Sequence, residues 1–480
     1  MKIRDEQTSA GINVLDSEEL LKAQAPIWSE DPLSDICSML LADQIKVVVL
    51  DDDPTGTQTV HDLAVLTTWD VAAITQEFAS ADSTFYILTN SRALTTPQAE
   101  ALNQEIAHNL SVAASRTQQK FIVISRSDST LRGHYPQEVT TLINGLGGGF
   151  DGTLLIPYFR EGGRLTVNDI HYVLQDQKLF PAAQTEFAQD AVFGYGQSDM
   201  KQWVEEKTKG AVNAESVVTV SLELIRSGGP IAVAKKLEGL INNCVCVVNA
   251  ADQRDVEVVA LGAMLAEKKG KRFFYRSSSS FVQARAGITR RPLLTANDLR
   301  SNEKGGSLVV VGSYVPKTTN QLKMLLNQCD ILPVELEVEN LLDEKSAADV
   351  VKKAALLIDI QINQGKDAVL YTSRKLITSD SDDCNLAIGQ TVSQSLIAIV
   401  HAMDCTPKYI IAKGGITSSD MATKGLNIRR AMVKGQISPG VPVWQCGPES
   451  RFPGLNYVVF PGNVGEDETL AEVVSALSGD

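Results

Sequence analysis

The sequence predicts an α/β fold, with two α/β domains that have largely parallel sheets and an interdomain cleft. Short runs of β-branched and aromatic residues alternate along the chain with helical stretches, a pattern typical of βαβ units. The chain has 480 residues, and at about 150 residues per domain this length favours two or three domains over one. Residues 287–306 are rich in charge and in helix-breaking residues, and they separate two series of such runs, which indicates an interdomain crossing.

These observations divide the chain into four segments. Residues 1–45 carry a modest helical pattern and form an N-terminal extension. Residues 46–290 form the first domain, residues 291–306 a linker, and residues 307–480 the second domain. Each of the two domains is then long enough to bury a core of its own.

The composition restricts the classes of partner. A hydrophobic content of 44% with 21% charged residues is that of a globular protein. The net charge of -14 argues against a nucleic-acid partner, for which a basic face is expected. Local arginines can still form a positive pocket, so the charge leaves an anionic small molecule as a candidate ligand.

Cysteine usage and hydropathy predict a cytoplasmic protein without membrane contact. The seven cysteines are an odd number, and only Cys244 and Cys246 lie close together, both inside an apolar run. We therefore interpret them as reduced thiols. No apolar stretch approaches the roughly 20 residues that span a bilayer. Residues 1–24 also lack the continuous apolar segment of a signal peptide.

The first predicted strand leads directly into three carboxylates. The apolar run at residues 47–50 predicts a buried strand, and Asp51, Asp52 and Asp53 follow it before a Pro-Thr-Gly turn. Ligands of open α/β sheets bind beyond the carboxyl ends of the strands. A solvated acidic turn is the alternative, because Asp is a common turn residue. Three adjacent carboxylates favour a site, since their repulsion needs a cation, a donor network or a substrate hydroxyl to relieve it.

Further strands of the first domain also end in polar residues. The runs that predict these strands are residues 85–89, 121–125, 153–156, 217–220 and 244–248. Arg92 follows the first of them, and residues 126–133 follow the second. Guanidinium groups bind carboxylates in a bidentate fork, and Asp side chains accept hydrogen bonds from sugar hydroxyls. Together these groups suit a small polyhydroxylated acid.

Two alternatives remain open for these side chains. Arg126 or Arg132 alone could form a structural salt bridge with a neighbouring Asp. Arg164, in a Glu-Gly-Gly-Arg turn, and the polar residues 185–190 could simply lie on the surface.

The second domain places small residues after its strands. Its predicted strands are residues 307–311, 332–336, 368–371, 409–412, 441–444 and 457–460. Glycine-containing turns follow three of them, at residues 312–314, 413–417 and 461–465. Glycines let backbone N–H groups approach a phosphate closely, and a following helix N-terminus adds partial positive charge. One such turn is more often only a tight turn, but three in one domain favour a cradle for nucleotide phosphates.

Several familiar motifs are missing from the sequence. It has no Walker A motif, no Gly-x-Gly-x-x-Gly after the first strand and no Gly-x-Ser-x-Gly elbow. The glycine-rich residues 145–152 precede a strand rather than a helix, so we interpret them as a connector. The five histidines are widely spaced and form no evident metal-binding set, and satisfied polar roles are predicted for His134 and His171.

Five motifs, in this order along the chain, resemble those of the four-carbon acid sugar kinases, a family formerly known only as a domain of unknown function. They are Asp52-Asp53-Pro54-Thr55-Gly56, Ser127-Asp128-Ser129-Thr130-Leu131-Arg132-Gly133, Gly312-Ser313, Gly414-Gly415-Ile416-Thr417 and Gly462-Asn463-Val464-Gly465. The Asp-Ser-Thr-Leu-Arg-Gly run is the most specific of them. The resemblance extends from about residue 46 to the C-terminus.

The resemblance implies an ATP-dependent and Mg2+-dependent kinase that acts on threonate, erythronate or 3-oxo-tetronate. It implies that the first domain binds the sugar acid and the second binds the nucleotide. The residues that it assigns to ATP are Ser313, Gly414, Gly415, Ile416, Thr417, Gly462 and Asn463. Family members often have an acidic residue where this chain has Ile416. The N-terminal extension and residues 447–455 are additional to the shorter members.

A mechanism follows as a hypothesis. Asp53 is the first choice of general base for the substrate hydroxyl, and Asp128 is the second. Domain closure would bring that hydroxyl to the γ-phosphoryl group, while Mg2+ neutralises the phosphates. No metal-binding residue is predicted. The residues assigned to the acid and its hydroxyls are Asp52, Arg92, Asp128, Ser129, Arg132 and Arg164.

Two other functions stay open at this point. A non-catalytic sensor would bind sugar acid or nucleotide without consuming ATP, and the departure at Ile416 leaves room for it. A sugar-acid oxidoreductase would need a nicotinamide site or a metal triad, of which the sequence gives no sign. The expected partners are a sugar acid and ATP, with no nucleic acid and no membrane. Homo-oligomerisation is common among enzymes of this size, but no sequence feature establishes it.

Overall fold

The structure is a computed structural model that describes residues 14–299, 305–374 and 382–478. Residues 1–13 of the predicted extension and residues 300–304 of the predicted linker lie outside the described residues. No helix of the described residues is both long enough and apolar enough to cross a membrane.

The described residues contain 19 strands. In chain order they are β1 (Leu15–Asp16), β2 (Lys46–Asp51), β3 (Leu63–Leu66), β4 (Thr84–Leu88), β5 (Phe121–Arg126), β6 (Gly152–Ile156), β7 (Arg164–Val167), β8 (Ile170–Gln175), β9 (Lys178–Pro181), β10 (Val218–Val220), β11 (Cys244–Val248), β12 (Phe273–Ser277), β13 (Leu308–Val311), β14 (Ile331–Leu336), β15 (Asp367–Thr372), β16 (Tyr409–Lys413), β17 (Arg430–Ser438), β18 (Val441–Cys446) and β19 (Asn456–Phe460).

The same residues contain 15 α-helices. In chain order they are α1 (Ser17–Lys22), α2 (Leu33–Asp43), α3 (Val71–Ala79), α4 (Thr96–Thr117), α5 (Gln137–Gly145), α6 (Met200–Lys207), α7 (Leu222–Glu238), α8 (Gln253–Lys268), α9 (Ser279–Arg285), α10 (Pro316–Gln328), α11 (Val338–Leu342), α12 (Glu344–Asn363), α13 (Asp382–Ala402), α14 (Gly415–Asp420) and α15 (Thr469–Ser478).

Local sequence accounts for several helix starts. Helix α4 begins with a capping box between Thr95 and Gln98, and Pro97 lies in its first turn. Helix α8 begins with a second capping box, between Asp252 and Asp255. Each box satisfies backbone N–H groups that have no partner within the helix.

The chain divides by its internal contacts into two compact units. The first unit contains Met1–Asp52 and Leu94–Thr289, and the second contains Asp53–Ala93 and Arg290–Asp480. The second unit therefore includes a segment, Asp53–Ala93, that the sequence analysis groups with residues 46–290. The predicted domain boundaries stay a prediction.

The main sheet of the first unit is entirely parallel. Its strand order is β10-β11-β6-β12-β5-β2. The register aligns Asp51 of β2 with Arg126 of β5, and Arg126 with Ser277 of β12. All six residues of β2 are buried, as expected for a strand that is covered on both faces. The carboxyl ends of these three strands therefore meet at one edge of the sheet.

A small antiparallel sheet in the first unit was not predicted. Its order is β1-β9-β8-β7, and β7 and β8 are joined by a tight turn at Asn168 and Asp169, both with positive φ. Asn and Asp tolerate this left-handed conformation better than most residues. The short strands carry too few residues for their alternation to be visible in the sequence.

The sheet of the second unit is largely parallel with an antiparallel insertion. Its strand order is β4-β3-β17-β18-β19-β16-β13-β15-β14, and β17 and β18 form a hairpin. Gly440 supplies a positive φ of 79° in the two-residue hairpin turn. The register aligns Val311 of β13 with Lys413 of β16, and Lys413 with Phe460 of β19. The predicted α/β class with largely parallel sheets is confirmed.

A glycine in α7 receives a tryptophan of the N-terminal segment. Gly229 has φ 63° and ψ -166°, a conformation that is essentially restricted to glycine, and it kinks the helix. A Cβ atom at this position would lie 2.5 Å from the Trp28 ring. The kink therefore provides the space in which this part of the extension packs on the first unit.

We expect Gly229→Ala to lower the free energy of unfolding by about 3 kcal/mol, because it adds an overlap with Trp28 to backbone strain. Gly210→Ala is the matched control, since Gly210 also has positive φ (81°) but no atom within 4 Å of its Cβ position. Backbone strain alone should make the control lose about 1 kcal/mol. Urea unfolding of both variants measures the difference, and equal losses would contradict the role of Trp28.

Candidate functional site

The acidic end of β2 pairs with a buried arginine. Asp51 and Asp52 are 1% and 3% exposed. Nη1 of Arg126, on the neighbouring strand β5, lies 3.0 Å from Oδ1 of Asp51 and 3.4 Å from Oδ1 of Asp52. Nε of Arg126 donates to Oγ of Ser279, 3.2 Å away, in the first turn of α9. Arg126 thus adopts the salt-bridge role that the sequence left open, and it supplies part of the donor network that adjacent carboxylates require.

The motif at residues 127–133 forms a compact loop after β5. Nε of Arg132 donates to Oδ2 of Asp128 at 2.7 Å, and the hydroxyl of Thr130 donates to the same oxygen. Leu131 has a positive φ of 69° and Gly133 a φ of 115°. A Cβ atom on Gly133 would lie 3.4 Å from Oδ2 of Asp52, so glycine lets the backbone pass close to that carboxylate.

The small sheet and its neighbours hold this loop by its carbonyl groups. His171 on β8 is fully buried, with Nε2 2.7 Å from the carbonyl oxygen of Ser129 and Nδ1 2.9 Å from Oγ1 of Thr166. The hydroxyl of Tyr195 donates to the carbonyl oxygen of Thr130 at 2.7 Å. Burial lowers the pKa of His171 to about 4, so the ring is neutral at pH 7. The neutral ring can donate to Ser129 and accept from Thr166.

Two arginines share one aromatic ring beside the loop. The guanidinium carbons of Arg132 and Arg164 lie 5.3 Å and 5.2 Å from the centre of the Phe187 ring. Nη1 of Arg132 lies 3.6 Å from Oδ2 of Asp190. Burial lowers the pKa of Arg164, and among the described residues its Nε has no hydrogen-bond partner. Two guanidinium groups over one ring form a site whose planar donors suit a carboxylate.

A further arginine in this region was missed in the sequence. Arg276, in β12, is 5% exposed, and its guanidinium carbon lies 5.2 Å from the centre of the Tyr135 ring. Nη1 of Arg276 lies 3.9 Å from Oε2 of Glu138, and neither it nor Nε1 of Trp203 has a hydrogen-bond partner among the described residues. Both residues line a cavity of about 20 Å³ that Asp128 also lines. Such a volume is about the size of one water molecule. Arg276 follows the apolar residues 273–275, so the strand-end rule that identified Arg126 could have found it.

Asp53 and Arg92 form a pair within the second unit. Oδ2 of Asp53 makes an ion pair with Nη2 of Arg92. Oδ1 of Asp53 accepts from the backbone N–H of Thr55 at 2.8 Å and from the hydroxyl of Thr55. Nε1 of Trp444, on β18, donates to Oγ1 of Thr57 at 2.9 Å and holds the following turn. The adjacent carboxylates Asp52 and Asp53 therefore have different arginine partners.

The three glycine turns of the second unit lie side by side at the carboxyl ends of β13, β16 and β19. A Cβ atom on Gly312 would overlap with Oγ1 of Thr417. Gly414 has a φ of 118°, and a Cβ atom there would lie 2.9 Å from Cβ of Ser313. The corresponding position on Gly462 is 3.7 Å from Oγ of Ser313. The approaches at Gly312 and Gly414 require glycine, whereas a Cβ atom at Gly462 would make an ordinary contact. Together these contacts bring three backbone turns around one point.

The outer side of this cradle is open. A Cβ atom on Gly415 would have no atom within 4 Å. Ile416 is 69% exposed, and Asn463 is exposed as well. Of the seven residues that the resemblance assigns to ATP, the structure thus brings four into contact distance of one another and leaves three at the open side. The four are Ser313, Gly414, Thr417 and Gly462. Because Ile416 is exposed, the change from an acidic residue at this position alters the surface rather than the packing.

A buried lysine, for which the sequence predicts no role, holds one turn of the cradle. Lys413 is 0% exposed, and its Nζ donates to the carbonyl oxygens of Pro461 at 2.6 Å and Gly462 at 3.2 Å. Nζ also lies 4.1 Å from the centre of the Phe460 ring. Burial, with a smaller effect of Lys317, lowers the pKa of Lys413 to about 7. The sequence signal that could have identified Lys413 is its position at the end of an apolar strand.

Arg374 adds positive charge to the same edge. Its Nη1 donates to the carbonyl oxygen of Ser313 at 2.7 Å, and its Nε donates to the carbonyl oxygen of Thr372 at 2.9 Å. Arg374 follows β15, which lies next to β13 in the sheet. Burial lowers the pKa of this guanidinium from its ordinary value. The residue was also missed in the sequence.

Two family models match the chain in this order. Residues 47–285 match a model described as a sugar-binding N-terminal domain, and residues 308–470 match one described as a nucleotide-binding C-terminal domain. This is the domain pair expected from the motifs. The chain belongs to the four-carbon acid sugar kinase family. Family membership assigns sugar binding to the region with the paired arginines and nucleotide binding to the region with the glycine cradle.

Solved structures of low sequence identity share the fold of this family member. A protein from Salmonella typhimurium LT2, provisionally named a tRNA synthase, has a TM-score of 0.64 at 16% identity, over 88% of this chain and 98% of its own. A Haemophilus influenzae protein of the same former domain-of-unknown-function family has a TM-score of 0.60 at 16% identity, over 90% of this chain and 100% of its own. A search of curated proteins gave no match. At these identities the likeness establishes the fold alone.

We expect His171 to make the protein sensitive to acid. Its pKa is about 4 in the folded state and 6.5 when exposed, so the unfolded state binds more protons between these values. Stability should therefore fall as the pH falls from 6.5 to 4, by about 3 kcal/mol in total for this group. Denaturant unfolding at a series of pH values measures this loss.

His171→Gln keeps a donor and an acceptor but does not titrate, so its stability should depend less steeply on pH in this window. His108→Gln, which replaces an exposed histidine on α4, is the control and should follow the parent profile. Identical profiles for His171→Gln and the parent protein would contradict the assignment.

We expect Lys413→Met to weaken nucleotide binding at least about 10-fold, because the Pro461 and Gly462 carbonyls lose the donor that holds their turn. Calorimetric titration with ADP measures this change. Lys323→Met, at an exposed position of α10, is the control. Unchanged ADP affinity in a folded Lys413→Met variant would exclude this role.

Proposed function

We propose that this protein is an ATP-dependent kinase that phosphorylates a hydroxyl group of a four-carbon sugar acid such as threonate, erythronate or 3-oxo-tetronate. The observation that carries the proposal is the presence of a paired-arginine patch beside carboxylates in the sugar-binding region and a three-turn glycine cradle in the nucleotide-binding region. One ligand class is acidic and polyhydroxylated, and the other carries phosphates. A kinase is the enzyme class that needs both.

The paired arginines are the proposed carboxylate site. The guanidinium groups of Arg132 and Arg164 lie over the Phe187 ring, which orients both of them for a planar carboxylate. Arg92 is a third candidate, through its pairing with Asp53. The shared ring fits a single small acid better than separate surface arginines would.

Polar groups around the loop at residues 127–133 are proposed to bind the hydroxyl groups of the substrate. Asp52 and Asp128 are acceptors for substrate hydroxyls, and Ser129 can donate or accept. Asp128 lines a small cavity together with Ser127, Arg276 and Trp203. This concentration of polar side chains beside the loop supports placing the sugar acid there.

The glycine cradle is the proposed phosphate site. Backbone groups at Gly414, Gly415 and Gly462 have no side chain to keep a phosphate away. Mg2+ would be held mainly by the nucleotide phosphates, with only one or two protein carboxylates. Within the described residues, no group of three or more His, Cys, Asp or Glu side chains is placed to hold a metal ion. When bound, Mg2+ would neutralise charge on the transferring phosphoryl group.

The chemical step transfers the γ-phosphoryl group of ATP to the substrate. The hydroxyl oxygen forms a bond to the γ-phosphorus, the bond between that phosphorus and the ADP oxygen breaks, and the hydroxyl proton passes to a carboxylate. Asp53 is the proposed base, and Asp128 is the second candidate. Both carboxylates are oriented by an arginine and a threonine hydroxyl.

ADP release with ATP and Mg2+ tests this function. The panel contains D- and L-threonate, D- and L-erythronate and their 2-oxo and 3-oxo derivatives. Release that depends on one member establishes the kinase and identifies its substrate. If none supports release while calorimetry shows acid and nucleotide binding, the protein is a sensor and the proposal is wrong. The cytoplasm, predicted from the sequence, is where we propose that the reaction occurs.

We expect Asp53→Asn to lower kcat about 100-fold or more, as the loss of a general base should. Asp128→Asn should mainly raise KM, because Asp128 would then serve to bind a hydroxyl. Asp176→Asn, at an exposed turn between β8 and β9, is the control and should retain parent kinetics. The reverse pattern would assign the base to Asp128, and near-normal kcat in both variants would exclude both residues as the base.

A further inference from the structure

A lysine of α10 lies beside the third turn of the glycine cradle, at residues 461–465. Lys317 is in the first turn of this helix, and Oγ1 of Thr318, the next residue, donates to the carbonyl oxygen of Gly462 at 3.1 Å. Nζ of Lys317 lies 3.7 Å from Oε2 of Glu466, which directly follows the cradle turn. The backbone of Lys317 is therefore fixed near Gly462, and its ammonium group extends along the cradle turn toward Glu466.

Two other cations of this region are already bound to the backbone. Nζ of Lys413 donates to two carbonyl oxygens of the same cradle turn. The guanidinium group of Arg374 donates to the carbonyl oxygens of Ser313 and Thr372. The partner of Lys317, by contrast, is a carboxylate on a side chain that is 89% exposed, and an exposed ion pair contributes at most about 1 kcal/mol. Lys317 can therefore exchange this partner for a stronger one.

Lys317 lies in unfavourable electrostatic surroundings. Burial, with a smaller effect of Lys317, lowers the pKa of Lys413, so the two ammonium groups are close enough to repel each other. A cation in the first turn of a helix also faces the partial positive charge of the helix dipole. Glu466 offsets these effects only in part, because solvent and salt screen an exposed carboxylate. A polyanionic ligand would relieve the repulsion.

The phosphates of a nucleotide are the anion that this region fits. Residues 308–470 match the nucleotide-binding family model, and Gly462 has no side chain to keep a phosphate away from Lys317. In P-loop proteins a lysine of the Walker A motif reaches the β- and γ-phosphates, and this sequence lacks that motif. A charge-assisted hydrogen bond to a phosphate is stronger than an exposed ion pair with a carboxylate. Lys317 can thus supply the cation that the phosphates need.

We propose that Lys317 exchanges its ion pair with Glu466 for one with the phosphates of the bound nucleotide. The inference rests on the proposed nucleotide site, and it adds a binding residue that lies outside the five motifs. Glu466 holds the ammonium group beside the cradle turn when no nucleotide is bound. When a nucleotide binds, the ammonium group neutralises part of the phosphate charge, and the carboxylate of Glu466 returns to solvent.

Calorimetric titration with ADP tests the role of Lys317. We expect Lys317→Met to weaken ADP binding at least about 10-fold, because a charge-assisted hydrogen bond is lost. Its ADP affinity should also depend less steeply on salt concentration than that of the parent protein, which a merely structural defect would not produce. Lys317→Arg keeps the charge and should retain most of the affinity. Lys323→Met, at an exposed position of the same helix, should match the parent protein in affinity and in salt dependence.

Glu466→Gln tests the exchange of partners. It should strengthen ADP binding to the parent protein about 3-fold, because it removes the carboxylate that competes for Lys317. The same change in the Lys317→Met variant should give a smaller gain, since no lysine is then released. Equal gains in the two backgrounds would overturn the exchange.

The titrations also separate this inference from the proposed function. If the parent protein does not bind ADP, the proposed function and this inference are both wrong. If the parent protein binds ADP and Lys317→Met binds it with equal affinity and equal salt dependence, the nucleotide site stands and the role of Lys317 is excluded.

Discussion

The sugar-binding region depends on the burial of Arg126 between two carboxylates at the end of β2. The sheet places Asp51 beside Arg126 by register, and Asp52 follows at the point where the strand ends. Two buried carboxylates would repel each other without this guanidinium group. Because Arg126 also donates to Ser279, the same charge connects β2, β5 and the start of α9. The loop at residues 127–133 begins at this fixed point.

Both candidate sites are built from backbone turns whose carbonyl groups accept hydrogen bonds from a buried basic side chain. His171 holds the carbonyl oxygen of Ser129 in the sugar-binding region, and Lys413 holds the carbonyl oxygens of Pro461 and Gly462 in the nucleotide-binding region. Burial favours the neutral form of each group, and a neutral imidazole or amine still donates a hydrogen bond. Turns fixed in this way can present their other groups to a ligand without reorganising.

Parts of both sites were not predicted from the sequence, and the reasons can be named. Arg276 was missed because the run at residues 273–275 was not predicted as a strand, although aromatic residues are common in strands. The sheet β1-β9-β8-β7 was missed because its strands have two to six residues, too few for a clear alternation. His171 and Phe187 come from that sheet and the turns after it, so their contacts with Ser129, Arg132 and Arg164 could not be anticipated.

The sequence alone determined the α/β class, most strands of the parallel sheets and the three glycine turns, because parallel strands form apolar runs and turns need particular residues. It also indicated the family through five short motifs. Only the tertiary structure decided that Asp52 pairs with Arg126, that Asp53 pairs with Arg92, and that Arg132 and Arg164 lie over the same aromatic ring. These pairings join residues that are distant in the chain, and a linear pattern carries no information on distances between strands that are separated by helices.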